Sequence, residues 1–354
     1  MLSMNQSLSL EYREKPPYRF YFFLVLLLYA SMHFYVFPDA LDITRYYDSV
    51  KDDVLHYHNI LDYIESQISI HIDFIYSSSL YLANRAGIPL NLVTTLYLSI
   101  YYIVICELLR RNYGLKRIRG IILFYILMSA PFIWVQEISR NLAAIAFMYC
   151  SFFQFNKNNK TIAVLFVIGA VFTHFSLVIF VLLYMIAFFM QQVNLNRKIV
   201  ILFFLAILII GYISPSYLVN LTVVVAENSD NHYAAYASIE NALPLFTTSI
   251  GYGDKIPMVY VYLFSLYLVL KNKKHDFYYW GLFVLTAGLS FALSTSLMLT
   301  NRIIMQMPLF IGWSICAILQ QEGRKEYIRL YILSAIGTVC VLAHFWSYRL
   351  IFSI

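Results

Sequence analysis

Charge is what this sequence has least of. Only 12% of its 354 residues are Asp, Glu, Lys or Arg, about half the share of a soluble domain. By contrast 61% are hydrophobic, and the mean hydropathy is +0.68. These values exclude a soluble globular fold. The apolar residues come in blocks of roughly 15 to 30, long enough to cross a bilayer core of about 30 Å. Alternating segments of about ten residues, the mark of a β-barrel, are missing. The expected fold is therefore all-α: a polytopic membrane protein of about 11 (10–12) helices, forming one transmembrane domain over 1–354.

Cysteine is scarce as well. Cys106, Cys150, Cys316 and Cys340 lie far apart within apolar segments, which suits small core residues rather than a disulfide or metal framework. No Cys/His spacing for a metal and no Walker pattern occurs, and "GYGDK" at 251–255 is too short for a phosphate loop. No small-x-small cleavage site follows "EYREKPPYRFYFFLVLLLYASMHFYVF", so that stretch reads as a retained first helix rather than a signal peptide.

What charge there is has a pattern. The net charge of +6 comes largely from short loops: Arg13, Lys15, Arg19; Arg110, Arg111, Lys116, Arg117, Arg119; Lys157, Lys160; Arg197, Lys198; Lys271, Lys273, Lys274; Arg324, Lys325, Arg329. Short Lys/Arg-rich loops mark the cytoplasmic side of a membrane, so the charge sets orientation and does not point to nucleic acid. With those loops inside, a first span at about 18–37 leads to an outer loop at about 38–72. The segment before the span at about 89–109 carries His71, Asp73 and Arg85 and reads as an interfacial or partly inserted helix. Spans at about 120–136 and 141–155 follow. The run Thr161 to Met190 has no Asp, Glu, Lys or Arg. One helix of that length would be about 45 Å long and end on the wrong side. Two shorter helices with a turn near Thr173 and His174 keep the parity and place His174 outside. The remaining spans fall at about 199–215, 256–270, 277–298, 303–319 and 328–348, with a large outer loop at about 216–255.

The outer face then holds Arg140, His174 and Arg302, together with Asp42, Arg45, Tyr46 and Asp48 after the first span. Arginines beside apolar helices are costly unless partnered or at the interface. Two readings stand for Arg140 and Arg302: guanidinium groups that snorkel to the headgroup region, or a site for an anionic head group, which guanidinium binds bidentately. His174 is either a packing residue bonded to hydroxyls such as Thr173 and Ser176, or a general base near neutral pH. Asp42, Arg45 and Asp48 equally suit a solvated loop.

The segment "ISRNLAAIAFMYCSFFQFNKNNKTIAVLFVIGAVFTHFSLVIF" resembles the central signature of Wzy-type O-antigen polymerases, and especially their EpsG-like exopolysaccharide relatives. An arginine opens a helix of small residues, a basic turn follows, and a second span leads to His-x-Ser. Asp42 and Tyr46 resemble the Asp-x-x-x-Tyr element of the family's first outer loop, and Arg302 an arginine opening a late span. Asn141 and Leu177 stand where the family more commonly has Gln and a small residue.

The resemblance implies a glycosyltransferase in the bacterial inner membrane with its active site facing the periplasm. It would transfer a growing chain, with inversion, from undecaprenyl diphosphate to the nonreducing end of a new undecaprenyl-diphosphate-linked oligosaccharide. Arg140 and Arg302 would neutralise the diphosphate. His174 would be the base, with Asp42 as a second base candidate or an acceptor ligand, and Arg45, Tyr46 and Asp48 would bind substrate. No metal, nucleotide sugar or other cofactor enters this scheme. Implied partners are a chain-length regulator and a flippase of the same pathway. Alternatives are an O-antigen ligase on the same lipid carrier and a flippase or transporter; the latter ordinarily shows internal repeats and polar groups near mid-membrane, neither of which is found here.

Overall fold

The computed structural model describes residues 18–33, 42–70, 73–113, 139–175, 177–193, 196–227, 252–271, 278–294 and 297–318, together with 238, 328–330, 332 and 336. No strand occurs among the described residues. Those up to 182 form one compact unit and those from 183 onward a second.

The first unit holds α1 (Tyr18–His33), α2 (Asp42–His56), α3 (Ile60–Ile70), α4 (Phe74–Arg85), α5 (Leu90–Tyr113), α6 (Ser139–Asn156) and α7 (Lys160–Thr173). In order, α1 packs on α5, α5 on α6 and α6 on α7, while α2 and α3 pack on α4, and α4 touches α7. The predicted outer loop at 38–72 is thus largely helical. Tyr47, Val50 and Val54 recur at helical spacing along α2, with Tyr47 and Val50 buried, so that stripe has a face to hide. It packs into a tyrosine-rich core in which the Tyr63 and Tyr81 rings stack at 4.4 Å. Tyr81 donates its hydroxyl to the Tyr57 carbonyl at 2.7 Å, which satisfies the polar end of a buried ring.

Two turns close these helices by the same device. After α4, Gly87 has φ +66°, its N–H bonds to Asn84 O at 3.0 Å, and Ile88 N–H bonds to Ala83 O at 2.9 Å. After α6, Asn158 has φ 63°, with Asn158 N–H on Phe155 O and Asn159 N–H on Gln154 O, both at 2.9 Å. Both are Schellman closures, which need a left-handed residue that Gly and Asn supply most cheaply.

The apolar run 161–190 breaks where the charge parity requires. α7 ends at Thr173, His174 is extended (φ −157°, ψ 105°), and α8 spans Leu177–Val193. Leu90–Arg111 of α5 and Lys198–Tyr217 in the second unit are long and apolar enough to cross a membrane, and several shorter helices are apolar. The expected span at 120–136 lies outside the described residues, as does most of that at 328–348.

The second unit contains α9 (Arg197–Glu227), α10 (Tyr252–Lys271), α11 (Tyr278–Ser294), α12 (Leu297–Ile304) and α13 (Pro308–Ile318). α9 and α10 pack on α11, and α11 on α12. α9 was expected to end near 215, yet it runs through Pro215 to Glu227, so the first part of the predicted loop at 216–255 is helical. Pro215 has no N–H for the Gly211 carbonyl; the Ser214 hydroxyl bonds that carbonyl instead, at 3.2 Å. Arg302 was expected to open the late span. It lies in the last turn of α12, where a cation suits the helix dipole, and α13 begins after a turn at 305–307.

Candidate functional site

Helix lengths bring the first two site residues together. α6 has 18 residues and α7 has 14, or about 27 and 21 Å of rise. The tight turn at Lys157–Asn159 returns α7 along α6, so residues at the start of α6 and the end of α7 share one end of the pair. Arg140 is the second residue of α6, and His174 directly follows α7.

The group that joins them is Asp73, just before α4. Its Oδ2 accepts from Arg140 Nη1 at 2.9 Å and lies 3.4 Å from His174 Nδ1. Its Oδ1 accepts the Phe175 backbone N–H at 2.7 Å. In an unbroken helix that N–H would face a carbonyl four residues back. The break at His174 releases it, and the carboxylate takes it up. Arg140 also lies over the Tyr76 ring, with Cζ 5.8 Å from the centroid, and Phe74 packs on Phe172 at 5.0 Å. These aromatic contacts hold α4 against the α6–α7 pair.

The side chains are graded in exposure: 22% for Arg140, 15% for Asp73 and 8% for His174. A partly exposed guanidinium and a nearly buried imidazole thus share one carboxylate. Burial on its own would raise the Asp73 carboxyl. The His174 hydrogen bond, the Arg140 and His174 charges and the Phe175 N–H outweigh it and hold the carboxyl below its ordinary value. Asp73 is thus a carboxylate at neutral pH and an acceptor only. The ring nitrogen facing it is then N–H, which leaves the imidazole lone pair on Nε2. Chemically, the cluster offers a cation for an anionic group and, beside it, a ring nitrogen able to take a proton. Among the described residues no group of three His, Cys, Asp or Glu is arranged to hold a metal.

A sequence model of the EpsG family matches residues 19–352, nearly the entire chain. The chain belongs to the EpsG family. No curated protein and no solved structure matches it. As an EpsG-family member it is a membrane protein with a polysaccharide polymerase-type role.

Within this EpsG-family chain the structure unites Arg140 and His174 in the first unit. Arg302 is half-buried on α12 of the second unit. Asp42 opens α2, and Arg45 and Tyr46 follow in it; their side chains lie outside the described part of the structure. Asp48 is exposed and paired with Lys51 one turn along α2 at 2.5 Å. In the sequence Asp73 counts only as one of the charges, with His71 and Arg85, that give its segment the character of an interfacial or partly inserted helix. A signal was present: it is the one acidic residue between Glu65 and Glu107, set in apolar "IHIDFIY", where an unpartnered carboxylate would be costly.

Proposed function

We propose that this EpsG-family protein polymerises lipid-linked oligosaccharide repeat units at the outer face of the bacterial cytoplasmic membrane. The growing chain leaves undecaprenyl diphosphate and joins the nonreducing end of a fresh lipid-linked unit. The observation that carries the reading is the meeting of Arg140 and His174 on one carboxylate, at the end of the helix pair that the basic-loop pattern assigns to the outer side. A nearby cation and imidazole match the demands of the reaction. His174 Nε2 accepts the proton of the acceptor hydroxyl, and the oxygen attacks the anomeric carbon from the face opposite the leaving group. The bond from that carbon to the diphosphate oxygen breaks, and its electron pair stays on the lipid diphosphate. Arg140 neutralises that developing charge, the interaction that matters most when the leaving group is already a good one. Arg302 is a second candidate cation on its sequence position.

The test is the length distribution of the surface glycan. Deleting the gene in its native background should leave a single repeat unit, and restoring it should return a ladder. His174→Ala and Arg140→Ala should each abolish the ladder while the protein stays membrane-inserted. A full ladder from His174→Ala refutes the base assignment. Loss of all surface glycan on deletion points instead to a ligase or a flippase.

A further inference from the structure

The transfer scheme needs a cation and a base, and Asp73 is neither. Its own helix does not account for it. Asp is a favoured N-cap residue, and Asp73 stands at the N-cap of α4, yet its side chain makes no capping hydrogen bond there. Both oxygens reach across to the α6–α7 pair instead.

We propose that Asp73 is the positioning residue of this site, holding His174 in the tautomer with its lone pair on Nε2 and holding the Arg140 guanidinium beside it. This rests on the polymerase reading for its catalytic meaning, whereas the tautomer follows from geometry. The Phe175 N–H fastens Oδ1 to the backbone next to the imidazole, so the carboxylate is keyed to the residue it orients. Oδ2 then meets Nδ1 and Nη1 together. Among the described residues, Asp73, from the connection before α4, pairs with His174 and also with Arg140 of α6, and Tyr76 of α4 lies under the guanidinium. As Nε2 takes up the acceptor proton, Nδ1 keeps its own and Asp73 stays ionised, facing an imidazolium of opposite charge. Arg140 on the same oxygen moderates that attraction, so the proton is not held permanently. The 3.4 Å separation is long for a hydrogen bond, as such contacts often are before substrate binds.

The experiment uses the full-length protein in lipid nanodiscs with 15N-labelled histidine. The His174 resonances are assigned by their loss in His174→Gln. Wild type should show Nδ1 protonated and Nε2 bare at neutral pH. Asp73→Asn, whose amide both donates and accepts, should lose that preference and lower kcat for polymerisation by roughly 100-fold or more, with KM changed far less. Asp73→Glu should retain the tautomer and recover part of the rate, and it serves with the wild-type spectrum if Asp73→Asn does not fold. A proton on Nε2 in wild type overturns the proposal, as does Asp73→Asn with an unchanged tautomer and kcat. The two readings fail separately. The expected tautomer with a full ladder from His174→Ala overturns the base assignment; the wrong tautomer with no ladder from His174→Ala overturns only the role of Asp73.

Discussion

Gly288→Ala should destabilise the second unit by about 1–6 kcal/mol. A Cβ at this position in α11 would lie 2.1 Å from Tyr262 Cε1, 2.5 Å from Cζ and 2.8 Å from Ile303 Cγ2. Carbon atoms in good contact sit about 3.5–4.0 Å apart, so the ring has to move by more than an ångström. It is poorly placed to do so. Tyr262 is fully buried, and its hydroxyl donates to the Thr300 carbonyl at 2.6 Å. Forcing a methyl into such packing costs about 1–3 kcal/mol, and breaking the buried hydrogen bond adds about 1–3 kcal/mol. The better helix propensity of alanine offsets up to about 1 kcal/mol. The loss falls on α12, the helix that bears Arg302. The assay is denaturant unfolding of the purified chain in detergent, followed by tryptophan fluorescence, with Gly169→Ala as control. At Gly169 the nearest atoms to a new Cβ are 3.7–3.9 Å away, on the Phe147 ring, so that variant should be as stable as wild type or more stable by up to about 1 kcal/mol. A Gly288→Ala variant as stable as Gly169→Ala refutes the packing argument.

Acid should act on the Asp73 cluster in a definite direction. Because the folded Asp73 carboxyl lies below its ordinary 3.8, its contribution is complete above that value and is lost as pH falls through the lower folded pKa. Unfolding free energies of wild type and Asp73→Asn should therefore differ at pH 6 to 7 (about neutral, where Asp73 is ionised) and converge in acid; a gap that widens on acidification refutes the sign. Ser214→Ala removes the hydroxyl that bonds the Gly211 carbonyl beneath Pro215 and should cost about 1 kcal/mol in the same unfolding assay. Tyr81→Phe removes the donor to Tyr57 O and the acceptor for Arg85 Nη1; it should cost about 1–2 kcal/mol and speed amide exchange in α2–α4 relative to α6. Arg140→Lys should weaken polymerisation at least tenfold, since an ammonium lacks the two-pronged grip of guanidinium on a diphosphate; an unchanged ladder argues against that contact.

Much of the arrangement was legible in the chain itself, because hydropathy and charge act locally. The sparse charge and long apolar runs determine a helical membrane protein. Basic loops set the parity that requires a break in 161–190, and the helix ends at Thr173. "NKNNK" closes the α6–α7 turn through a left-handed Asn158, so the sharing of one end by Arg140 and His174 follows from two helix lengths and one turn. The segment 38–72 was harder to read. Its charges suggested a loop, while the stripe of Tyr47, Val50 and Val54 became a helix face only because the tyrosines of α3 and α4 supply a surface to pack against. The end of α9 was not legible either: proline ordinarily ends a helix, but at Pro215 the neighbouring serine occupies the carbonyl it leaves open and the helix continues to Glu227.

Asp73 belongs wholly to the tertiary structure. It is 67 residues from Arg140 and 101 from His174, and no local pattern couples positions so far apart. Its sequence setting discloses only that a carboxylate in apolar surroundings needs partners. Which partners it finds is decided when α4 docks on α7 and the broken helix presents a spare N–H. Composition and spacing determined where helices begin, turn and face, because those are short-range properties of the backbone and the solvent. The packing of α4 against the helix pair decided which charge meets which imidazole, because that contact exists only once distant segments are brought together.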